Sequence, residues 1–267
     1  MTLPSAASGA SVDSKSKPVI EFCGVQYRLA DSNILLNNFQ LEIHSGETMV
    51  LLGRSGAGKT TALKLINRLL VPSAGEVRVD GRATVAWDPI ALRRHIGYVI
   101  QETGLFPHYT VEQNVGVTPR LDGWDKPRIQ QRVEELLALV GLDPRAYLDR
   151  YPHELSGGQR QRVGLARALA ADPPILLMDE PFGALDPLTR MEVRNEFRDL
   201  QARLGKTVVI VTHDIAEAVE LGTRIALLES GELRSVHAAS TFLQSDEPLA
   251  AAFLAQIRQL EPGEGNS

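Results

Sequence analysis

The alternation of apolar and polar residues predicts antiparallel strands near the N-terminal end of the chain. In the C-terminal half of residues 34–44, every second residue is apolar. Residues 19–26, which precede this segment, form another strand-like run. A loop of short polar residues separates the two runs, as is typical of neighbouring strands. Residues 76–79 lead into the turn signal Asp80-Gly81, which predicts a further antiparallel element.

Unbroken apolar runs predict buried strands deeper in the fold. Strands of this kind are expected at residues 48–52, 96–100, 175–178 and 208–211. The last two runs suit parallel strands that helices cover on both faces. A predicted helix over 187–204, closed by Gly205, connects them, so residues 175–211 are expected to form a βαβ unit.

Between about residues 103 and 170 the apolar spacing becomes that of helices. Apolar side chains recur at intervals of three and four at Ile129, Val133, Leu136, Leu137 and Val140. Gly141 follows where a helix C-terminus favours glycine. The chain from residue 224 predicts two short strands around Ser230-Gly231 and then two helices. We therefore expect an α/β fold with a mostly parallel sheet, an N-terminal antiparallel β subdomain and an inserted helical subdomain at about 103–170.

The composition is that of an ordinary globular domain with a subdomain. The chain has 267 residues, of which 43% are hydrophobic and 23% charged, and its formal net charge is −5. This negative balance argues against a broad nucleic-acid surface, so no nucleic-acid partner is expected. The one cysteine, Cys23, cannot form an internal disulfide, which suits a reducing compartment. Its apolar surroundings predict a position in the core.

The ends of the chain and its longest apolar runs bear on any membrane role. Residues 1–17 are rich in Ser, Ala and Lys, which predicts a disordered tail and not a signal peptide. No apolar run approaches the roughly 18 residues that cross a bilayer, so a membrane role is expected to come through a partner. The folded domain is expected at 18–257, with a flexible terminus at 258–267.

The residues after the run 48–52 fit the phosphate-binding pattern G-x-x-x-x-G-K-[ST] between a strand and a helix. Glycines let backbone N–H groups approach phosphate oxygens, and the following helix adds the positive end of its dipole. Lys59 is expected to reach the β- and γ-phosphates, and the Thr60 hydroxyl to bind Mg²⁺. The nucleotide-binding residues predicted here are Gly53, Arg54, Ser55, Gly56, Ala57, Gly58, Lys59, Thr60 and Thr61. The expected fold is therefore a P-loop NTPase core.

Two adjacent carboxylates, Asp179 and Glu180, follow the apolar run 175–178. Open α/β sheets bind ligands at the carboxyl ends of their strands. Beside a P-loop, Asp179 is expected to hold Mg²⁺, directly or through water, and Glu180 to polarise the attacking water.

A second anion site is predicted at Ser156, Gly157, Gly158 and Gln159. Ser156 is a good N-cap, and the paired glycines expose backbone N–H groups at the start of an amphipathic helix. One triphosphate needs only one such site in one chain. The second site therefore implies a neighbouring molecule.

The order of these motifs resembles that of the ATP-binding subunits of ABC transporters over residues 19 to about 257. The shared set is the P-loop, Gln101, Leu155-Ser156-Gly157-Gly158-Gln159, Asp179-Glu180, Ala184-Leu185-Asp186 and His213. The resemblance implies an ATPase that uses ATP and Mg²⁺, and a head-to-tail pair of copies that closes over two ATP molecules. Ser156 and Gly158 of one copy would contact the γ-phosphate bound by the P-loop of the other.

The resemblance also implies roles for residues outside the three main motifs. Gln101 would contact Mg²⁺ or the attacking water and report the nucleotide state to membrane subunits. His213 would hydrogen-bond the γ-phosphate, and Asp186 would contact the partner's P-loop while capping the following helix. The family stacks an aromatic ring on adenine, for which Tyr27 is the candidate here and Leu29 the alternative. The implied catalytic set is Glu180, His213, Gln101 and Lys59.

The stretch 100–111, with further residues up to 152, is similar to ATPase subunits of importers for quaternary amines such as glycine betaine, choline or carnitine. This similarity implies transmembrane permease subunits, and indirectly a solute-binding protein, as partners at the cytoplasmic face of the membrane. Residues 102–115 are expected to line the groove for a permease helix, with apolar contacts from Phe106, Pro107 and Tyr109. A loop that packs these aromatic rings inward is the alternative.

Other ABC proteins remain as alternatives. An exporter, a lipid transporter or an importer of another solute would share the same ATPase core. A soluble ABC protein of DNA repair or translation needs a long insertion or two ATP modules, and the distance between Gln101 and Ser156 leaves room for neither. Many relatives carry paired regulatory domains after the ATPase. Because the sequence ends at Ser267, regulation by that route is expected to be absent or to lie on another chain.

Overall fold

The computed structural model describes residues 17–30, 33–101, 104–245 and 248–251. The tail predicted at 1–17, apart from Lys17, and the terminus predicted at 258–267 lie outside the described residues. Within the described ranges, no helix has the length and apolar character needed to cross a membrane.

Strands in the described part of the chain form two sheets. In chain order they are β1 (Pro18–Arg28), β2 (Ile34–His44), β3 (Thr48–Gly53), β4 (Ala74–Val79), β5 (Arg82–Ala83), β6 (Ile96–Val99), β7 (Ile175–Asp179), β8 (Thr207–Thr212), β9 (Arg224–Glu229) and β10 (Glu232–Ala238). The first sheet has the order β2-β1-β4-β5 and is antiparallel. The second has the order β10-β9-β3-β8-β7-β6 and is parallel except at its β10 edge. The predicted antiparallel sheet and the mostly parallel core sheet are both confirmed.

Helices cover the parallel sheet and fill the middle of the chain. They are α1 (Lys59–Ile66), α2 (Pro89–His95), α3 (Val111–Val115), α4 (Val117–Leu121), α5 (Lys126–Leu139), α6 (Pro144–Tyr147), α7 (Gly157–Leu169), α8 (Pro187–Leu204), α9 (Ile215–Leu221) and α10 (Ala239–Phe242). The run from α3 to α7 falls within the region predicted to be helical, although the subdomain boundaries stay a prediction. The helix predicted over 187–204 is α8, and Gly205 closes it with a φ of 58°.

Short polar side chains determine where many of these helices begin. Each accepts a backbone N–H from the first turn and so satisfies a donor that the helix itself leaves unpaired. The residues that do this are Asp88, Thr110, Asp125, Asp143, Ser156, Asp186 and Asp214. Helix starts were therefore readable from the sequence wherever such a residue precedes an apolar pattern.

The central strand β3 separates two hydrophobic cores. Val50 and Leu52 face the core that the helices cover, whereas Met49 and Leu51 face the core beneath the antiparallel sheet. All four side chains are fully buried, and burying each one contributes roughly 1.5–3 kcal/mol. A strand buried on both faces has no polar face, which explains the unbroken apolar run in its sequence.

The predicted core position of Cys23 is wrong, because its side chain is exposed. The neighbouring Phe22 is buried, and adjacent residues of a strand point to opposite faces of the sheet. An antiparallel sheet can leave one face to solvent. Apolar neighbours in the sequence therefore did not imply burial.

Candidate functional site

A cleft of about 680 Å³ opens at the loop between β3 and α1. It is lined by Leu35, by residues 54–61, and by Gln101, Glu180 and His213. The last three residues follow the carboxyl ends of β6, β7 and β8, which are neighbours in the parallel sheet. The order of the strands therefore brings together chemical groups that are far apart in the sequence.

Two glycines of the loop are required by close packing. A Cβ at Gly53 would lie 2.4 Å from the carbonyl oxygen of Leu228, and one at Gly58 would lie 2.6 Å from that of Leu35. Gly58 also has a φ of 94°, which a residue with a side chain rarely adopts. Any larger residue at either position would force the loop away from the strands beside it.

Lys59 is buried within the loop, with only 5% of its surface exposed. Its Nζ donates hydrogen bonds to the carbonyl oxygens of Gly53 at 2.6 Å and Arg54 at 2.9 Å. Burial lowers the pKa of Lys59, while the carboxylates of Glu180 and Asp179 act in the opposite direction. The ammonium is thus fixed at the rim of the cleft, where phosphate oxygens could also accept its hydrogen bonds.

Thr60 and Asp179 form the group of oxygens that suits a metal ion. The Thr60 hydroxyl donates to Asp179 Oδ1 at 2.9 Å, and Asp179 is 5% exposed. Burial raises the pKa of Asp179, although the hydrogen bond from Thr60 and the charges of Lys64 and Lys59 oppose the shift. Hydroxyl and carboxylate oxygens are ligands that Mg²⁺ prefers, so these residues fit the predicted ion.

Glu180 stands at the centre of a group of three polar side chains. Gln101 Nε2 donates to Glu180 Oε2 at 3.2 Å, and His213 Nδ1 lies 3.4 Å from Glu180 Oε1. Glu180 also has a φ of 43°, an unusual value for a residue with a side chain, which costs roughly 1–3 kcal/mol. The surrounding structure must hold this conformation, for example through the hydrogen bond from Glu180 N–H to the carbonyl of Val211 at 2.9 Å.

The predicted second anion site lies at the start of α7. Ser156 Oγ accepts the N–H of Gln159 at 3.3 Å, while Gln159 Oε1 accepts the N–H of Ser156 at 2.9 Å. Such a reciprocal pair holds a helix N-terminus rigidly. Gln159 also donates to the Tyr147 hydroxyl at 2.9 Å. None of residues 156–159 lines the cleft, so one copy of the chain does not bring the two predicted anion sites together.

Asp186 caps α8, as predicted, and accepts the N–H of Thr189 at 3.1 Å. The side-chain hydrogen bond from Thr189, followed by this backbone one, lowers the pKa of Asp186. Asp186 also lies outside the cleft of its own chain. Its predicted contact with a partner's P-loop stays a prediction.

Neither candidate for the adenine contact lines the cleft. Tyr27 is half-buried and packs against the core beneath the antiparallel sheet, while Leu29 is 38% exposed. Leu35, at the start of β2, lines the cleft instead, although no sequence pattern predicted it there. The adenine contact of Tyr27 stays a prediction.

Asn114, which lies in the stretch similar to quaternary-amine importers, has a structural role that its sequence pattern did not predict. It is fully buried, its Oδ1 accepts the Phe106 N–H at 2.7 Å, and its Nδ2 donates to the carbonyls of Phe106, Tyr109 and Thr110. These bonds determine the shape of the loop at 106–110, in which Phe106 is 41% exposed. The available signal was a polar residue three positions after Val111 and next to Val115, on the buried face of α3.

Comparisons with known proteins agree on one family. A family model described as "ABC transporter" matches residues 36–183, more than half of the chain. The osmoprotectant import ATP-binding protein OsmV of Salmonella typhimurium is 56% identical over 198 residues, which are 74% of this chain and 52% of that protein. The glycine betaine/carnitine/choline transport ATP-binding protein OpuCA of Bacillus subtilis is 54% identical over 201 residues, 75% of this chain and 53% of that protein.

This chain spans about half the length of those relatives. Among solved structures, the dimeric post-hydrolysis state of the ATP-binding cassette MJ0796 bound to ADP and Pi is similar, with a TM-score of 0.74 and 36% identity. The similarity covers 82% of this chain and 98% of that one. With its P-loop cleft, its parallel core sheet and these similarities, the chain belongs to the ABC transporter family.

Proposed function

We propose that this chain is the ATP-binding and ATP-hydrolysing subunit of an ABC importer for quaternary amines or related osmoprotectants. The observation that carries the enzymatic part is the meeting of Gln101, Glu180 and His213 beside the P-loop, with both partners within 3.4 Å of the Glu180 carboxylate. The solute class is supported by the names of the two relatives, which describe osmoprotectant import and glycine betaine, carnitine and choline transport.

The main polar groups in and beside the cleft have separate roles in this proposal. The backbone N–H groups of the P-loop and the Lys59 ammonium bind the β- and γ-phosphates. Glu180 polarises the attacking water, and Gln101 and His213 orient that carboxylate and the γ-phosphate. Thr60 and Asp179 would hold Mg²⁺, which supplies positive charge to the phosphate oxygens. Asp179 would do so directly or through water, since its Oδ1 lies 2.9 Å from the Thr60 hydroxyl at the cleft.

A second copy of the chain would complete the site. The N-terminus of α7, with Ser156 and Gly158, lies outside the cleft of its own chain, and the exposed Ser156 would meet a γ-phosphate held by another copy. The similar cassette MJ0796 was solved as a dimer with ADP and Pi bound. ATP-driven closure of such a pair would move the membrane subunits between their two states.

The permease and, indirectly, a solute-binding protein are the other proposed partners, at the cytoplasmic face of the membrane. Support comes from the loop at 106–110, where Phe106 is 41% exposed and its ring centroid lies 5.2 Å from that of Tyr109. An exposed Phe106 ring, beside a partly buried Tyr109 on a loop that Asn114 holds in shape, suits a helix that packs against it.

The enzymatic proposal is tested by replacing Glu180 with Gln in the purified chain. We expect ATP turnover to fall by a factor of about 100 or more, since the water loses its general base. ATP should still bind with near wild-type affinity, and ATP should induce a dimer on size-exclusion chromatography. The control is Glu192→Gln, the same change on the exposed face of α8. Turnover of Glu180→Gln at the wild-type rate would contradict the proposal.

The solute is tested by copurifying the chain with its permease and adding solute-binding protein loaded with one candidate at a time. We expect glycine betaine, choline or carnitine to stimulate ATP hydrolysis, and an inorganic anion such as sulfate to leave it at the basal rate. Stimulation by a lipid or by sulfate alone would reject the osmoprotectant assignment and leave the ATPase assignment intact.

A further inference from the structure

Arg190, in the first turn of α8, connects two loops at the edge of the cleft. Its Nη2 donates to the carbonyl oxygen of Leu185 at 3.0 Å and to that of Gly183 at 3.4 Å. Its Nη1 lies 3.9 Å from Oδ2 of Asp214. One guanidinium therefore contacts both the loop that follows Glu180 and the loop that follows β8.

The Asp214 end of this connection is held rigidly. Asp214 caps α9 by accepting the N–H groups of Ala216 at 2.8 Å and Glu217 at 3.3 Å. Its own N–H donates to the Thr212 hydroxyl at 3.0 Å. His213 lies between Thr212 and Asp214, so an anchor on Asp214 is also an anchor for the backbone beside His213.

At the other end of the connection, Arg190 contacts the loop that hydrogen-bonds to the backbone of Glu180. The Gly183 N–H donates to the Glu180 carbonyl at 3.2 Å, and the Gly183 carbonyl accepts from Arg190. Glu180 has a φ of 43°, so its conformation needs support from neighbouring groups. A planar guanidinium with five N–H donors can hold carbonyls and a carboxylate in fixed relative directions, which a single ammonium cannot do.

We propose that Arg190 is a positioning residue for hydrolysis, which holds the loop carrying Glu180 in register with the loop carrying His213. The inference rests on the proposed function, because it takes Glu180 as the group that polarises water. Arg190 does not line the cleft, so its effect falls on the chemical step and not on nucleotide affinity. Small displacements of a catalytic group lower rates strongly, because the reacting atoms must meet in a narrow range of geometry.

The test compares Arg190→Ala, Arg190→Lys, Asp214→Asn and the double variant Arg190→Ala/Asp214→Asn in the purified chain. Asparagine keeps an oxygen that caps α9 but removes the negative charge that faces Arg190. We expect Arg190→Ala to lower kcat roughly 10- to 100-fold while KM for ATP and the affinity for a fluorescent ATP analogue change less than about twofold. Arg190→Lys should restore only part of kcat, and the double variant should be no slower than the slower single variant.

The control is Arg198→Ala, two helical turns further along α8, where the side chain is exposed and pairs with Glu220 at 3.2 Å. It should keep the wild-type kcat. A kcat of Arg190→Ala within twofold of wild type, or additive losses in the double variant, would overturn the inference. Should Arg190→Ala not fold, an unchanged kcat in Asp214→Asn and in Arg190→Lys overturns it equally. Glu180→Gln in the same assay separates the two proposals, because a wild-type rate there rejects the proposed function itself.

Discussion

Glu217 is a carboxyl side chain that the fold buries almost completely, with 3% of its surface exposed. One oxygen accepts a hydrogen bond from the Thr212 hydroxyl at 2.6 Å. Burial raises the pKa of Glu217 and Asp214 adds to the shift, while Thr212 and the charges of Arg190 and Arg194 oppose it. Because the ionised form is disfavoured in the folded state, the stability of the protein depends on the charge of this one residue.

The sign of that dependence is testable with Glu217→Gln. As pH rises from the ordinary glutamate pKa of 4.5 towards the raised pKa, the unfolded state loses its proton first. The free energy of unfolding of the wild type should therefore fall relative to that of the variant, by about 1.4 kcal/mol for each unit by which the pKa is raised. The difference between the two proteins should be constant in more acidic solution, change between the two pKa values, and be constant again above the raised pKa.

Urea unfolding of both proteins across this pH range measures the difference in free energy of unfolding. Glu192→Gln, on the exposed face of α8, is the matched control. A difference between wild type and Glu217→Gln that does not vary with pH would show that Glu217 titrates alike in the folded and unfolded states.

At the scale of elements, the contact between α7 and α8 explains one glycine of the predicted anion site. A Cβ at Gly158 would lie 2.6 Å from Cγ2 of Thr189 and 3.8 Å from Cγ2 of Val193, both on α8. A Cβ at Gly157 would meet only Cδ2 of Leu185, at an ordinary 3.5 Å. Gly158 is therefore required for the close packing of α7 against α8, independently of any role in binding a ligand.

Replacing these glycines separately should give different stabilities. Gly158→Ala should lower the free energy of unfolding by roughly 1–3 kcal/mol, because the β-branched Thr189 has little rotamer freedom to move aside. Gly157→Ala should stay within about 0.5 kcal/mol of wild type. Urea unfolding of the two variants is the measurement, and each is the control for the other. Equal free energies of unfolding for the two variants would mean that α8 moves to accommodate the new methyl group with little loss of stability.

At the scale of the whole molecule, each ATP site is proposed to need two chains, which a mixing experiment can test. Lys59→Ala damages the P-loop. Ser156→Asp keeps a good N-cap on α7 but places a negative charge where the γ-phosphate would bind. Each variant alone should be nearly inactive. A mixed dimer, however, has one site built from an intact P-loop and an intact α7 N-terminus.

An equal mixture should therefore recover about a quarter of wild-type ATPase activity, because half of the random pairs are mixed and each has one intact site of two. Ser156→Asn, which caps the helix without adding charge, is the control and should lose less activity than Ser156→Asp. A mixture that stays as inactive as its components would argue for sites that are complete within one chain.

The sequence by itself determined the elements and the fold class. The bounds of α8 followed from Asp186, Pro187 and Gly205, which act within a few residues of themselves, and the parallel strands followed from runs buried on both faces. The order of the motifs also indicated which residues would meet at the carboxyl edge of the sheet. Gln101, Glu180 and His213 do meet there, while their chemical roles stay predictions.

The tertiary structure alone decided which side chains touch and which face of a strand is open. The hydrogen bonds of Asn114, the contact between Arg190 and Asp214, the exposure of Cys23 and the presence of Leu35 in the cleft all depend on how separate elements pack. Local patterns carry no information about these distances, because burial and pairing are set by the partner element and not by the residue's own neighbours. The P-loop and the N-terminus of α7 could be predicted from the sequence. Only the tertiary structure showed that the two lie apart within one chain.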